Sequence, residues 1–313
     1  MNLLKQILVT GGAGFIGSHL VEALVESRAQ VTIVDNLQRG ARSNLKAVLQ
    51  DITFVESDLL DALNRRVVQI ECFDTIFHLA GNSYVPPSVE SPDFDYFHNL
   101  QTSFALLEHL RNANAPPRLV FVSSAAVYGN PVRVPIHEMD LTVPISPYGV
   151  SKLAVERYVA VYNLLYNIPA VSLRLFSVFG PRQPKQVIYD FFGKLREDPK
   201  VLRVLGDGTQ QRDFNYVTNV VDALLLVATE APSTGEVYNV ASGTTHSIAN
   251  LVQVLCEVLE LEPHVEYSGS VRPGDAEKWA VDISKITSLG YLPKVKMREG
   301  LKRTADWFAG IQV

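Results

Sequence analysis

The sequence is poor in cysteine, lacks long apolar runs and carries no excess of positive charge. It has only two cysteines, Cys72 and Cys256, both among apolar neighbours, which argues against a disulfide framework or a thiolate metal site and fits a reducing cytoplasm. Nowhere do about 18 apolar residues follow one another, and the apolar stretch at the N-terminus is too short for a signal peptide. The 28 Lys and Arg residues are outnumbered by 33 Asp and Glu residues. We therefore expect a cytoplasmic protein that binds neither membranes nor nucleic acid.

Short β-branched runs alternate with helical patterns through the first half of the sequence. The runs end at Thr10, Val34, Val55, Ala80, Ser124 and Phe176. This alternation predicts an α/β fold, a Rossmann-type doubly wound parallel sheet. Beyond Phe176 prolines become frequent and the elements shorter, which predicts a smaller mixed α/β domain. We place the first domain at residues 1–176 and most of the second at 177–313, with a segment near 212–240 returning to the first.

The segment VTGGAGFIGSHL predicts a dinucleotide site between the first strand and the first helix. Gly11, Gly14 and Gly17 stand three residues apart, which permits a tight turn and a close approach of a pyrophosphate to the helix N-terminus. Glycines in a plain turn are the alternative, but Asp35 closes the second strand where a carboxylate can bind ribose hydroxyls. The same carboxylate would repel a 2′-phosphate, and the nearest arginine is Arg39. The pattern therefore favours NAD over NADP.

The segment SPYGVSK places Tyr148 and Lys152 four residues apart, on one face of a predicted helix. A neighbouring ammonium favours the phenolate, so we expect Lys152 to lower the pKa of Tyr148 from its ordinary value near 10. An ordinary helix surface is the alternative for such a pair. Here the pair follows a nucleotide-type fold and a strand that ends in Ser124, and the three side chains should meet at the carboxyl ends of the strands.

Many motifs in the same order together resemble the extended short-chain dehydrogenase/reductase family, and within it the nucleotide-sugar epimerases and dehydratases. The resemblance covers nearly the whole chain. The matching stretches are TGGAGFIGSHL, DNL, SDLLD, FHLAG, VSSAAVYG, SPYGVSKLAVE, LRLFSVFGPRQ, GDGTQQRDFNYV, YNVASG and RPGD.

The resemblance implies roles for individual residues. Ser124, Tyr148 and Lys152 match the family's catalytic triad. The cofactor contacts that it implies, with Tyr148 and Lys152 among them, are Gly11, Gly14, Phe15, Ile16, Gly17, Asp35, Asn36, Asp58, Leu59, Leu79, Ala80, Gly81, Asn99, Ser123 and Phe176. The substrate contacts that it implies, with Ser124 and Tyr148 among them, are Ser83, Ser177, Arg212, Arg272 and Trp279. The two arginines would bind the diphosphate of a nucleotide sugar.

Two alanines after Ser124 discriminate among the family's reactions. In the related dehydratases these two positions resemble an Asp-Glu pair. In the related decarboxylases the second position, just before the Val-Tyr-Gly, resembles a glutamate. Ala125 and Ala126 can neither remove nor donate a proton, so elimination of water is disfavoured. Reversible oxidation at one carbinol remains, which predicts an NAD-dependent nucleotide-sugar 4-epimerase, with a UDP-hexose such as UDP-glucose or UDP-galactose as substrate.

Three departures from the family pattern leave alternatives open. Ser177 stands where the family commonly has asparagine, the stretch after Arg182 is short, and Trp279 falls near the position that restricts sugar substituents. A bulky indole there argues against N-acetylated sugars, although a Trp simply packed in the second domain fits as well. The alternatives are a 4-epimerase or 4-keto reductase of another nucleotide sugar, such as a UDP-uronic acid or a deoxysugar, and a dinucleotide-binding sensor without turnover. Such sensors usually lack the Tyr-Lys pair.

Two further expectations concern partners and metals. The segment LAVERYVAVYNLLY is apolar around much of its circumference, so a second buried face is expected. The family resemblance implies a homodimer through this helix and the one near 94–112. The seven histidines are scattered without ligand spacing, so no metal is predicted.

Overall fold

The centre of the molecule is a parallel β-sheet, seen in a computed structural model that describes residues 4–269 and 279–310. The strands are β1 (Gln6–Thr10), β2 (Gln30–Asp35), β3 (Ile52–Glu56), β4 (Thr75–His78), β5 (Arg118–Ser124), β6 (Ala170–Leu175), β7 (Val178–Phe179), β8 (Val201–Val204), β9 (Gln211–Asp213), β10 (Asn215–Tyr216), β11 (Thr234–Val240), β12 (Thr245–Ser247) and β13 (His264–Tyr267). Seven of them pair in the order β11-β6-β5-β4-β1-β2-β3. Every pair is parallel.

Helices cover both faces of this sheet. They are α1 (Phe15–Glu26), α2 (Leu59–Asn64), α3 (Val85–Glu90), α4 (Pro92–Asp95), α5 (Thr102–Arg111), α6 (Pro147–Tyr166), α7 (Val187–Glu197), α8 (Val217–Glu230), α9 (Ile248–Leu259), α10 (Ser284–Thr287) and α11 (Met297–Ala309). A π-helical segment, Tyr96–Gln101, joins α4 to α5. A 3₁₀-helix, Ala125–Tyr128, follows β5. No helix in the described ranges is long and apolar enough to cross a membrane.

Alternate residues of the central strands enter two separate cores. Ile7 and Val9 of β1 belong to the core that includes side chains of α1 and α8, whereas Leu8 belongs to the core that includes side chains of α2, α5 and α6. Because both faces are covered, the strands read as continuous apolar runs rather than as alternating ones. The predicted Rossmann-type fold is confirmed.

The chain after β6 forms smaller pieces and also returns to the sheet. Two-stranded sheets pair β7 with β10, β9 with β12 and β8 with β13. Within residues 212–240, α8 packs on α1 and β11 completes the central sheet beside β6, whereas β10 pairs away from it. The domain boundary at residue 176 stays a prediction.

Candidate active site

The glycine turn after β1 leaves the N-terminus of α1 open. Gly11 has a φ of +73°, and a Cβ there would lie 2.8 Å from the backbone nitrogen of Ala80. A Cβ on Gly17 would collide with the Gly11 carbonyl oxygen. Gly14 precedes α1 without a side-chain cap, and a Cβ on it would meet only the Gly11 oxygen, at 3.2 Å. The turn therefore offers free N–H groups and the positive end of the helix dipole, which fits a pyrophosphate.

The Asp35 carboxylate is held at the end of β2 by two backbone hydrogen bonds. Its Oδ2 accepts from the Ala13 nitrogen at 2.9 Å and its Oδ1 from the Leu37 nitrogen at 2.8 Å. Burial raises the pKa of Asp35, and these two bonds oppose that effect. Asn36 donates to Oδ2 of Asp58 at 3.3 Å, and Asp58 caps α2 ahead of the buried Leu59. The structure thus brings together Asp35, Asn36 and Asp58, three of the predicted cofactor contacts.

Residues 79–81 lie between the glycine turn and the π-helical segment. The backbone nitrogens of Leu79 and Ala80 donate to the carbonyl and hydroxyl oxygens of Thr10, at 3.1 and 3.2 Å. Gly81 has a φ of +140°, and a Cβ on it would collide with Oδ1 of Asn99. The predicted cofactor residues of these two segments therefore stand in direct contact. Phe15 and Ile16, in the first turn of α1, are half-buried.

His78, at the end of β4, forms a buried structural bridge between two hydroxyl groups. Its Nδ1 lies 2.7 Å from the Thr10 hydroxyl and its Nε2 lies 2.8 Å from the Ser103 hydroxyl. Burial, helped by the charge of Lys152, lowers the pKa of His78 to about 3. The ring is neutral at physiological pH and therefore adds no charge beside Lys152.

Ser124, Tyr148 and Lys152 come together as the sequence predicted. Ser124 ends β5, and its hydroxyl lies close enough to the Tyr148 phenol to lower the pKa of that phenol. Tyr148 lies in the first turn of α6, whose N-cap Ser146 accepts a hydrogen bond from the Gly149 nitrogen. Lys152, one turn later, donates from Nζ to the Val122 carbonyl at 3.0 Å, and Nζ is 5.9 Å from the centre of the Tyr148 ring.

The expected effect on the pKa of Tyr148 is wrong in direction for this structure. Burial raises the pKa of Tyr148 to about 12, against the hydrogen bond from Ser124, which lowers it. Burial also lowers the pKa of Lys152 to about 8, while the nearby charges of Asp95 and Glu156 raise it. Removal of the phenol from water therefore dominates the pKa of Tyr148, and the Lys152 ammonium donates to a backbone carbonyl instead of to the phenol.

The residues beside Ser124 have distinct environments. Ala125 and Ala126 begin the 3₁₀-helix, and the Ala126 nitrogen donates to the Ser124 hydroxyl at 3.2 Å. Ser123, a predicted cofactor contact, donates its hydroxyl to the buried carboxylate of Glu156 at 2.5 Å. Glu156 in turn pairs with Arg174, at 2.7 Å. The Ser123 hydroxyl is therefore occupied within the protein.

The predicted substrate residues lie on several elements. Ser83 is exposed ahead of α3, Ser177 follows β6 and Arg212 lies on β9. The backbone nitrogen of Trp279 donates to the Gln211 carbonyl at 3.1 Å. The Trp279 ring packs edge-on against the buried Phe176, with centroids 5.6 Å apart. Trp279 thus joins the strand of Arg212 to a predicted cofactor residue. Arg272 lies outside the described residues.

Sequence reasoning missed a buried polar group behind the catalytic pair. Asp95 accepts hydrogen bonds from the side chains of Asn82, Asn99 and Ser151. Two signals were available: Asp95 precedes Asn99 by four residues in a helical pattern, and Ser151 directly precedes Lys152. Neither spacing shows that the partners come from separate segments. Within the described ranges, no group of three or more His, Cys, Asp or Glu residues could hold a metal ion.

Comparison with known proteins agrees with this geometry. The model of the NAD dependent epimerase/dehydratase family matches residues 7–241. UDP-glucose 4-epimerase of Halalkalibacterium halodurans is 33% identical over 322 residues, which cover 96% of this chain and 95% of that protein. The crystal structure of Thermus thermophilus UDP-glucose 4-epimerase with NAD has a TM-score of 0.88 and 35% identity, over 97% of this chain and 99% of the other.

A second solved structure is that of an epimerase whose name specifies a different sugar. UDP-N-acetylglucosamine 4-epimerase of Methanobrevibacter ruminantium, in complex with UDP-N-acetylmuramic acid, has a TM-score of 0.90 and 36% identity. The match covers 97% of this chain and 98% of that one. Relatives of equal similarity thus differ in the sugar that their names specify.

Proposed function

Because the chain belongs to the NAD-dependent epimerase/dehydratase family, we propose that it is a nucleotide-sugar 4-epimerase that interconverts UDP-glucose and UDP-galactose. The family confirms the prediction of NAD as the cofactor. The observation that carries the proposal is that Ser124, at the end of β5, lies beside the buried Tyr148 phenol and is followed by two alanines instead of acids. An alcohol can be oxidised and reduced there, whereas elimination of water lacks its acid and base at these positions.

The described residues fit NAD on three observations. The glycine turn leaves space and N–H groups for a pyrophosphate, Asp35 presents a fixed carboxylate, and the buried Oδ1 of Asn99 has no hydrogen-bond partner in the described chain. We propose that the other cofactor residues named from the resemblance complete this site. When bound, NAD supplies the hydride acceptor and donor and a positively charged ring, which opposes the effect of burial on the pKa of Tyr148.

The chain's own residues handle the proton in this proposal. Tyr148 takes the proton of the C4 hydroxyl during oxidation and returns it during reduction, so that no net proton or electron is exchanged. Ser124 holds the reacting oxygen by a hydrogen bond. Lys152, as an ammonium, stabilises the phenolate and binds the ribose beside it. Arg212 and Arg272 would hold the diphosphate, with Ser83 and Ser177 nearby.

The substrate choice rests on Trp279. Its indole packs on Phe176 and hydrogen-bonds through the backbone to the strand of Arg212, so it stands between the proposed cofactor and diphosphate sites. A bulky ring in that place favours a plain hexose over an N-acetylated one. The solved N-acetylglucosamine epimerase makes the alternative worth testing directly.

The test is a substrate panel without added cofactor. Purified protein is incubated with UDP-galactose, UDP-N-acetylgalactosamine and UDP-glucuronate, and the products are separated by anion-exchange chromatography. Selective conversion of UDP-galactose to UDP-glucose supports the proposal. If only one of the other two nucleotide sugars is converted, the proposed substrate is wrong, but the proposed 4-epimerase reaction stands. No conversion of any sugar, repeated with added NAD, overturns the proposed activity on UDP-glucose and UDP-galactose and moves the function to another nucleotide sugar or to a reductase.

We also propose a cytoplasmic homodimer. The outer face of α6 exposes Tyr158, Val161, Leu164 and Leu165, and Tyr96, Phe97 and Phe104 are exposed on the preceding helical segment. Such a patch is large for a surface in contact with water. A monomer mass at micromolar concentration in light scattering would contradict the dimer.

A further inference from the structure

Asp95 is a carboxylate with no exposed surface, behind the catalytic helix. Its Oδ1 accepts from Nδ2 of Asn82 and from Nδ2 of Asn99, both at 2.8 Å. Its Oδ2 accepts from the Ser151 hydroxyl at 2.7 Å. These donors come from three separate segments: the loop after β4, the π-helical segment and α6. A buried charge tied to so many donors is expected to serve these neighbours, because burial alone would cost free energy.

The carboxylate decides which way the Asn99 amide points. An ionised carboxylate only accepts hydrogen bonds, so Asn99 must turn its NH₂ group toward Asp95 and its oxygen away from it. That oxygen is buried, has no hydrogen-bond partner among the described residues and lies against Gly81. It therefore faces the loop where the cofactor is proposed to bind, and it can accept from a hydroxyl or an amide N–H of that cofactor. Asn82, next to Gly81, is held in the same way, and its oxygen is also buried and unpartnered.

The same carboxylate supplies negative charge to Lys152. The groups that act on the buried ammonium are Asp95 from α4 and Glu156 from its own helix, and both favour the charged form. Glu156 is already paired with Arg174, at 2.7 Å, whereas none of the hydrogen bonds to Asp95 carries a formal positive charge. The two other titratable groups near Lys152 are the neutral His78 and the phenol of Tyr148.

We propose that Asp95 is a positioning residue for the cofactor and for Lys152: it orients the amides of Asn82 and Asn99 toward the cofactor loop and acts as the buried counter-charge of the ammonium. This inference rests on the proposed role of Lys152 toward NAD, and it does not depend on which sugar is turned over. Asp95 itself touches neither the phenol nor the ammonium by a hydrogen bond in the structure, so it acts through its neighbours.

The experiment measures NAD binding by calorimetry, with no sugar present, across a pH series on nucleotide-free protein. The variant is Asp95→Asn, which keeps the shape but removes the charge and one acceptor oxygen. The matched control is Asp93→Asn, two residues earlier in the same helix, because Asp93 is exposed and bonds only locally to Ser91. Both variants change the net charge equally, so a difference between them reports the site. Calorimetric melting of each variant checks that it is folded.

Wild-type protein should lose NAD affinity as Lys152 loses its proton, near the pKa of about 8. In Asp95→Asn the midpoint of this loss should move down by about one pH unit, because the counter-charge is gone. At pH 7 the Kd for NAD should rise about tenfold, since an asparagine can donate to Asn99 and let its amide turn over. Asp93→Asn should follow the wild type. A uniform loss of affinity with an unchanged midpoint, or a wild-type profile without a midpoint, would overturn the proposal.

If Asp95→Asn fails to fold, the Ser151→Ala variant tests the orienting role of Asp95. It keeps the carboxylate but removes the hydroxyl that holds Oδ2, so the carboxylate can turn away from Asn99. We expect a Kd for NAD about threefold higher, with the midpoint unchanged because the charge remains. An unchanged Kd would contradict the orienting role. Absence of sugar turnover in the substrate panel, together with the predicted shift in NAD binding, would fault the 4-epimerase proposal and leave this one standing.

Discussion

The two halves of the candidate site differ in how their side chains are held. In the cofactor half, hydrogen bonds from other segments hold each residue: they join Gly11 to Val34 of β2, Asp35 to Ala13 of the glycine turn and Asn99 to Asp95 of α4. In the substrate half, Arg212 lies on a three-residue strand that pairs with another three-residue strand, and Trp279 is joined to it by one backbone hydrogen bond. The cofactor half is therefore built in advance, whereas the substrate half consists of short elements. This difference fits a family that is named for its dependence on NAD while its members' names specify different sugars.

The sharpest test of the division is Tyr148→Phe. Loss of the phenol removes the proton acceptor, so conversion of the nucleotide sugar should fall about a thousandfold or more. The ring and its burial stay, so the Kd for NAD should change less than about threefold. Chromatographic assays and calorimetry on the same preparation measure the two quantities. Full activity in Tyr148→Phe would show that the triad is misassigned.

The next effect belongs to the substrate half alone. Arg212→Ala should raise the KM for the nucleotide sugar about thirtyfold, because a hydrogen-bonded charge to a phosphate is lost. NAD affinity should stay at the wild-type value. Arg203, paired with Glu266 on the exposed surface, offers the control Arg203→Ala, which should leave the KM unchanged. Equal damage to NAD binding and to KM in Arg212→Ala would break the division into halves.

The same glycine-to-alanine change should have opposite signs in the cofactor half and in α7, which lies outside the candidate site. In Gly17→Ala the added Cβ meets the Gly11 carbonyl, so the free energy of unfolding should fall by about 1–3 kcal/mol and NAD binding should weaken. Gly193, inside α7, has nothing within 4 Å of its Cβ position. Gly193→Ala should raise the free energy of unfolding by about 0.5–1 kcal/mol, because the unfolded chain loses freedom. Urea titration of both variants measures the difference, and equal signs would contradict the prediction.

A last effect links pH, stability and activity through Lys152. Burial lowers its pKa from 10.5 to about 8, so the folded state prefers the neutral amine. Its contribution to the free energy of unfolding is present above about pH 10.5 and is lost as the pH falls through 8. Between these two pH values the free energy of unfolding should fall by about 1.4 kcal/mol for each pH unit. Enzymatic activity should instead fall as the pH rises through this range, because the proposed reaction needs Lys152 as an ammonium. Urea titrations across this pH range should show that the free energy of unfolding depends on pH differently in the wild type and in Lys152→Met. The same pH dependence in both proteins would disprove the lowered pKa of Lys152.

Some parts of this structure could be read from the sequence, for a physical reason. The glycine turn and the Tyr148–Lys152 pair depend on spacing within one strand, turn or helix, so local periodicity determines them. The grouping around Asp95 brings together residues 82, 95, 99 and 151, and no local pattern specifies it. The pKa of Tyr148 was expected to move down because the sequence shows the neighbouring charge but not the burial, which dominates. Arg272 stays a prediction from resemblance.

The π-helical segment Tyr96–Gln101 also sets a limit on how this chain can change its length. A π-helical turn contains one residue more than an α-helical turn. Deleting one residue there would restore an α-helix and rotate the following helix by about 100° relative to Asp95. Either Asn99 would leave its carboxylate, or the buried face of α5 with Leu106 and Leu107 would turn toward water. A functional descendant of this protein should therefore accept substitutions in this stretch far more readily than a gain or loss of a single codon.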